Sequence, residues 1–195
     1  MVKPLLTILL MLVVSANDFA QKHCIGIEYG NGKVHLRDPN YSNLNTIGVK
    51  YLNKYTELKS STYIEEDIEQ VTGNDNESSY QHLKTSVGGN LEFGKKLHFI
   101  IGVGLNIKLY LNSKGFDEKF KRFSFGNKFN LGMGYYISSK FFAELLYEYH
   151  YSFTPVYVQI ISGSERKYGD QQNLIKIGIS YIIGNKKSNH EKNNL

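Results

Sequence analysis

A stretch of fifteen residues, from Leu97 to Leu111, alternates between large apolar side chains and small or polar ones almost without interruption. Successive side chains of a β-strand point to opposite faces, so this period of two predicts a strand with one apolar face. At about 3.3 Å per residue the strand is roughly 50 Å long, well beyond the usual globular strand. This length favours a tilted strand that crosses a bilayer and projects past it. A long strand of a soluble barrel or sandwich is the alternative at this point.

The composition supports a fold made of many strands. The 195 residues include 15 Tyr, 11 Phe and 18 Gly, but only 3 Pro and no Trp. A chain rich in aromatic residues and poor in proline favours strands with few breaks, and this length is enough for one domain or a small closed barrel. The formal charge of +5 is spread along the sequence. We therefore expect no nucleic-acid partner.

The N-terminal segment, residues 1–20, is predicted to be a cleaved signal peptide. Lys3 precedes the apolar run Leu5–Val14, which is too short to span a membrane as a helix. Cleavage fits either after Ala16 or after Ala20. Since Cys24 is the single cysteine, no internal disulfide is expected.

Eight candidate strands emerge from the pattern of alternation. The third is the weakest, because Glu65-Glu66-Asp67 could belong to a loop, and it is placed because an antiparallel barrel needs an even number of strands. The predicted strands are approximately His23–Gly30, Thr46–Tyr55, Leu58–Glu69, Tyr80–Phe93, Leu97–Leu111, Phe120–Ile137, Phe141–Phe153 and Gln172–Ile183.

The connections between these strands alternate in length. Those after the first, third, fifth and seventh strands are long, and those after the second, fourth and sixth are short. This asymmetry is typical of outer-membrane barrels, which have long loops outside and tight turns in the periplasm. The predicted fold is an all-β, eight-stranded antiparallel up-and-down transmembrane β-barrel over residues 21–183, with both termini periplasmic. Residues 184–195 are predicted to be a polar, disordered tail. Outer-membrane lipid and lipopolysaccharide are the expected surroundings.

If the apolar faces meet lipid, charged side chains of both signs face the lumen. Isolated buried charges are very costly, so we expect these groups to pair across the lumen or to retain water. An eight-stranded barrel is only just wide enough to be filled by side chains, which predicts a plugged or narrowly wet interior and not a solute channel. No metal or cofactor is expected, and the histidines are scattered without metal-ligand spacing. The predicted luminal network consists of Glu28, Lys50, Lys84, Glu92, Lys108, Arg122, Lys128, Glu144, Glu148 and Lys176.

The strand pattern, together with the run Leu145–Thr154 and the closing segment Asn173–Ile183, resembles the Bacteroidetes outer-membrane β-barrel families, namely the porin-family or PorT-like proteins. The resemblance covers about residues 21–183 and includes no catalytic signature. It implies a small outer-membrane barrel. The chain departs from the family by continuing beyond its last strand instead of stopping at a terminal aromatic residue.

Two alternative functions come from other classes of protein. His150-Tyr151-Ser152 resembles the His-x-Ser pair of PagL-like lipid A deacylases, in which Ser152 would be the nucleophile, His150 the base and Glu165 the orienting acid. Against this, Phe153-Thr154 replaces the residues usual after that serine, and the alternation turns both side chains inward. The other alternative is an exported soluble lipocalin-like binder.

The acidic loop that contains Asn74, Asp75, Asn76 and Glu77 lacks the spacing of a defined Ca²⁺ loop, and we expect it to be solvated. The sequence therefore favours a non-enzymatic barrel with a structural or surface-interaction role. Its long loops would carry any recognition of surface partners. The sequence does not identify which surface or periplasmic protein would be its partner.

Overall fold

The computed structural model describes residues 22–37, 40–55, 58–73, 78–114, 119–161 and 164–185. Among these residues, no helix is long and apolar enough to cross a membrane. The predicted signal peptide and the acidic loop residues 74–77 lie outside the described residues, as do residues 186–195 of the predicted tail. The first two residues of that tail, Gly184 and Asn185, instead belong to the last strand. The strands are β1 (Lys22–Arg37), β2 (Asn40–Tyr55), β3 (Ser60–Thr72), β4 (Ser79–Gly94), β5 (Leu97–Lys114), β6 (Lys119–Phe120), β7 (Phe123–Tyr136), β8 (Phe141–Ser152), β9 (Tyr157–Ile161), β10 (Ser164–Tyr168) and β11 (Gln171–Asn185).

Eight of these strands form a closed antiparallel barrel in the order β1-β11-β8-β7-β5-β4-β3-β2. Closure is made between β1 and β11, where Ile27 lies opposite Ile179. When β6, β9 and β10 are left aside, every other pair of neighbouring barrel strands is consecutive along the chain. The barrel is therefore of the up-and-down type. The predicted fold class is therefore confirmed.

The alternation that dominates the sequence becomes a difference between the outside and the inside of the barrel. On β5, Val103 is 64% exposed, whereas Lys108 on the opposite face is 1% exposed. The same alternation recurs on β7, β8 and β11, whose outward positions carry Phe, Leu, Ile and Tyr. An apolar outer face is stable in lipid, and the polar inner face is stable where side chains pair with one another.

The first two strands are longer than predicted. The predicted strands leave residues 31–45 as a long connection, but β1 and β2 remain paired through it as far as Arg37 and Asn40. A paired hairpin needs no apolar alternation where it projects beyond the membrane, so its polar side chains gave no strand signal.

The two ends of the barrel differ. One end, here called the turn end, carries the start of β1 and the end of β11. At this end two residues join β4 to β5, and four residues join β7 to β8. At the opposite end, here called the loop end, β6, β9 and β10 form a separate three-stranded sheet. The sequence pattern predicted the long connections but not this sheet.

Two apolar clusters lie inside the barrel, one toward each end. The cluster at the loop end contains Val34, Leu44, Val71, Tyr80, Val156 and Leu174. The cluster at the turn end contains Cys24, Leu52, Tyr63, Ile100, Phe142, Leu146 and Ile182. Val156 comes from the connection after β8, so the loop end is closed partly by a segment that folds back over the lumen.

Candidate functional site

Most of the interior between the two apolar clusters is occupied by charged side chains. Among the described residues, six lysines and eight carboxylates point inward, and each is at most 6% exposed. These groups, here called the luminal network, are Glu28, Lys50, Lys54, Glu65, Asp67, Glu69, Lys84, Glu92, Lys108, Lys128, Glu144, Glu148, Asp170 and Lys176.

Lys176 of β11 is the most highly connected cation of the network. Its Nζ lies 2.9 Å from Asp67 Oδ2 and 3.2 Å from Glu28 Oε2, and it also donates to Glu65. Lys50 extends the network around the barrel, because its Nζ contacts Glu28 Oε1 at 2.8 Å and Glu144 Oε1 at 2.7 Å. Through their contacts, the ammonium groups of Lys176 and Lys50 connect five strands: β1, β2, β3, β8 and β11.

Two further lysines extend the network: Lys128 across the lumen, and Lys84 along the wall, where it lies directly opposite Asp67 of the neighbouring strand. Lys128 Nζ lies 2.6 Å from Glu65 Oε2 and 2.7 Å from Glu148 Oε1. Lys84 Nζ lies 2.9 Å from Asp67 Oδ2 and 2.8 Å from Glu69 Oε1. Since each of these two ammonium groups lies between two carboxylates of other strands, the charges are neutralised locally instead of remaining isolated.

Toward the loop end the network ends at Asp170, just before β11. Lys108 Nζ lies 2.6 Å from Asp170 Oδ2, and Ser152 Oγ donates a hydrogen bond to Asp170 Oδ1. Gln172 Nε2 donates both to Asp170 Oδ2 at 2.9 Å and to Glu69 Oε2 at 3.0 Å. The connection that follows β10 is thereby attached to the interior of the barrel.

Toward the turn end a separate ion pair joins Lys54 and Glu92 at 2.7 Å. The ammonium of Lys54 also lies 3.5 Å from the centroid of the Phe142 ring, a cation–π contact. Because Phe142 belongs to the apolar cluster at this end, the ion pair and the cluster pack as one unit.

Removing one partner of a buried ion pair typically costs about 3–5 kcal/mol, because the other charge is left without compensation. The stability of the fold therefore depends on the presence of both the lysines and the carboxylates of the luminal network. It also fills the space through which a solute would pass, and the apolar clusters close the space on either side.

The structure places nine of the ten predicted luminal residues inside the barrel. Arg122 differs: it is exposed, it lies in the short segment before β7, and its guanidinium is 5.6 Å from the Phe123 ring centroid. The predicted strand began at Phe120, but the barrel strand begins at Phe123. Arg122 therefore precedes the wall of the barrel, and its assignment to the lumen was wrong.

Five members of the luminal network were not predicted, namely Lys54, Glu65, Asp67, Glu69 and Asp170. Three of them lie on β3, where the run of acidic residues resembled a loop. The available signal was the alternation Tyr63, Glu65, Asp67 and Glu69, which is the pattern of a strand whose inner face is polar.

The residues of the deacylase alternative do not form a triad. His150 Nε2 lies 3.1 Å from Glu148 Oε2, whereas the hydroxyl of Ser152 donates a hydrogen bond to Asp170. The histidine and the serine therefore have different partners. Both side chains point into the barrel and are almost fully buried. Glu165 lies on β10, in the small sheet at the loop end and outside the barrel wall.

Glu28, Glu65 and Asp67 bring carboxylate oxygens within 4.8 Å of one another, close enough to hold a cation. The ammonium of Lys176 contacts all three carboxylates. In this arrangement the lysine provides the positive charge that a metal ion would otherwise supply.

A closed eight-stranded barrel with an apolar outer face and a charge-filled lumen defines the class of small outer-membrane barrels. Residues 6–182 match the family described as the outer membrane protein beta-barrel domain, and the chain belongs to that family. The protein is accordingly an outer-membrane protein, and the soluble lipocalin-like alternative is inconsistent with both its family and its exposed apolar face.

Several solved structures share this fold. Neisserial surface protein A has 9% sequence identity, covers 80% of this chain and 96% of its own, and superposes with a TM-score of 0.58. OprG from Pseudomonas aeruginosa has 10% identity, 85% and 97% coverage and a TM-score of 0.56. Ail, the attachment invasion locus protein of Yersinia pestis, has 12% identity, 84% and 99% coverage and a TM-score of 0.51. No curated protein matches the chain by sequence.

Proposed function

We propose that this protein is a non-conducting, non-enzymatic barrel that serves the structure of the outer membrane and binds partners through its loop end. The observation that carries the proposal is the interior: buried ion pairs occupy its centre, and an apolar cluster lies toward each end. A barrel filled in this way offers no passage for solutes. It can contact lipid through its outer wall and bind other molecules at its two ends. Its relation to the Bacteroidetes porin-family or PorT-like proteins is part of the proposal, and the strand pattern supports it.

Conductance tests the absence of a passage. The purified barrel, inserted into planar bilayers, is expected to give no single-channel steps under conditions in which a general porin conducts. Regular steps from a correctly folded sample, judged by heat-modifiable gel mobility, would contradict a sealed lumen.

We further propose that both termini and the tight turns are periplasmic and that the loop end faces the cell exterior. The asymmetry between short turns at one end and the additional sheet at the other supports this orientation. Lys114 at the loop end and Ser139 in a turn are exposed, whereas the native Cys24 is buried. In intact cells, a membrane-impermeant maleimide should label Lys114→Cys, and it should label Ser139→Cys only after the outer membrane is permeabilised. The reverse pattern would invert the proposed orientation.

The three-stranded sheet of β6, β9 and β10 supports a recognition role for the loop end, because it adds an ordered surface beyond the barrel wall. Outer-membrane lipid and lipopolysaccharide would surround the wall, and a surface protein would be the partner at the loop end; a periplasmic protein could reach only the turn end. A pull-down with the intact barrel should lose that partner when residues 157–168 are replaced by a Gly-Ser linker. Equal recovery with both proteins would show that this sheet is not the recognition surface.

A further inference from the structure

The carboxylate of Glu66 interrupts the apolar outer face of the barrel. Glu66 is exposed on the outer face of β3, between Ile64 and Ile68. Its direct neighbour on β2 is Val49, which is 54% exposed and lies between other apolar outward residues. Glu66 thus occupies the middle of the lipid-facing surface of its strand.

We define the apolar belt as the outward-facing positions of the barrel strands between their first and last large apolar residues. Among the described residues, Glu66 is the only Asp, Glu, Lys or Arg in this belt. The belt comprises the alternate positions within Ile25–Tyr29, Ile47–Tyr51, Ile64–Ile68, Leu83–Phe93, Leu97–Leu111, Phe123–Tyr135, Phe141–Tyr151 and Ile175–Ile183.

Glu66 also differs from the acidic residues of the lumen in its partners. Thr85 Oγ1 donates a hydrogen bond to Glu66 Oε1 at 3.2 Å, but no ammonium or guanidinium among the described residues pairs with this carboxylate. Its neighbours Glu65 and Asp67 each pair with lysines on the inner face. An ionisable side chain on a lipid-facing surface is costly and commonly marks a functional site. A positive partner for Glu66 would therefore have to come from beyond the described residues.

An apolar groove of about 710 Å³ runs beside Glu66 across the outer face of β11, β1, β2 and β3, and it reaches Ala143 of β8 and Leu83 of β4. It is lined chiefly by Ile and Val side chains such as Ile27, Val49 and Ile177, and Glu66 stands at one side. Ala143 contributes one of the smallest outward side chains of the belt and leaves space at the opposite side. Small-molecule sites typically have volumes of about 300–1,000 Å³, with mostly apolar walls and a few placed polar groups. The groove has these properties.

We propose that this groove is a binding site for hydrophobic organic cations, with Glu66 as the counter-charge. The charge of the ligand follows from the carboxylate, which has no cationic partner among the described residues. Its hydrophobic character follows from the walls and from the surrounding lipid, since a compact ammonium would lose its hydration at a high cost whereas a delocalised charge loses less. A second copy of this chain could not supply the counter-charge from its own described belt, where no cation faces outward.

The site can be tested with two ions of nearly the same shape and opposite charge. Tetraphenylphosphonium and tetraphenylborate are titrated separately into the full chain in lipid nanodiscs, and binding is measured by equilibrium dialysis against empty nanodiscs. The phosphonium should show saturable binding with one site per barrel, and the borate should show only partition into lipid. Glu66→Gln preserves the shape of the side chain and should weaken phosphonium binding at least tenfold.

Two further variants distinguish a built site from simple attraction to any carboxylate in the membrane. Ala143→Phe should reduce binding by filling the groove while leaving Glu66 in place. Adding Val103→Glu to Glu66→Gln places a carboxylate on the belt outside the groove and should not restore binding. Equal binding of the two ions, unchanged affinity in Glu66→Gln, or restoration by Val103→Glu would overturn the proposal. A stable dimer that dissociates in Glu66→Gln, with no phosphonium binding, would instead identify this face as a protein interface and would also overturn it.

Discussion

Glu65 on β3 accepts a hydrogen bond from the ammonium of Lys128 on β7 at 2.6 Å, although 63 positions separate the two residues in the sequence. In the barrel order, β4 and β5 stand between these strands, so the contact crosses the lumen instead of following the wall. Lys128 also contacts Glu148 at 2.7 Å. One ammonium group therefore holds together opposite sides of the barrel.

Lys128→Met should destabilise the folded barrel by about 3–5 kcal/mol, because it leaves Glu65 and Glu148 with one buried cation fewer. The free energy of unfolding, measured by urea titration in detergent or lipid, checks this value. Lys140→Met changes an exposed lysine in the turn between β7 and β8 and should alter stability by no more than about 0.5 kcal/mol. Similar values for the two variants would show that the luminal network contributes little to stability.

The sequence was sufficient to predict the barrel because lipid imposes a strict period of two on outward-facing residues. The prediction failed where that constraint is absent or broken. The projecting hairpin of β1 and β2 has no lipid-facing side, so its sequence lacks the apolar alternation. On β3, the outward Glu66 replaces the apolar residue that would have continued the alternation of Ile64 and Ile68.

The luminal residues were predictable as a class but not as pairs. Parity along a strand shows that Lys50 and Lys176 face inward, whereas the choice of Glu28 as their shared partner depends on the stagger of the strands around the closed barrel. Stagger is a property of the assembled sheet. Asp170 was missed because it lies in a connection, where no period applies.

Lys54 and Glu92 should show strong coupling in a double-mutant cycle. Each single change to Met leaves a buried charge without its partner at 2.7 Å, so each single variant should be less stable than the double variant Lys54→Met/Glu92→Met. The expected coupling energy is about 1–3 kcal/mol. Unfolding titrations of the four proteins measure it, and additive effects would mean that the pair is not energetically linked.

A charge on the outer face of β5 should be tolerated according to its depth. Val103 lies in the middle of the apolar belt, whereas Leu111 lies near the loop end of the same strand. Val103→Arg should cost about 2–4 kcal/mol and Leu111→Arg about 0–1 kcal/mol, because an arginine near the interface reaches water. Unfolding free energies in bilayers of defined thickness provide the measurement. An equal cost at both positions would contradict the assignment of this face to lipid.

Gly94 provides a test of the turn between β4 and β5, because its φ of +131° is a conformation that residues with a side chain rarely adopt. A Cβ added there would lie only 1.9 Å from the carbonyl oxygen of Leu97, so the turn would have to rearrange. Gly94→Ala should therefore destabilise the barrel by more than about 1 kcal/mol. Unfolding titrations measure the effect, and refolding rates show whether formation of this hairpin also becomes slower.

Gly89 on the same strand is the matched control for Gly94. A Cβ at Gly89 would meet only the Ser61 carbonyl oxygen, at an ordinary contact distance of 3.5 Å. Gly89→Ala should be neutral, or stabilising by about 0.4–1 kcal/mol, because alanine restricts the unfolded chain without straining the folded one. The difference between the two alanine variants isolates the conformational requirement of the turn from the general effect of removing a glycine. If both variants lose the same stability, the positive φ of Gly94 is not what the tight connection requires.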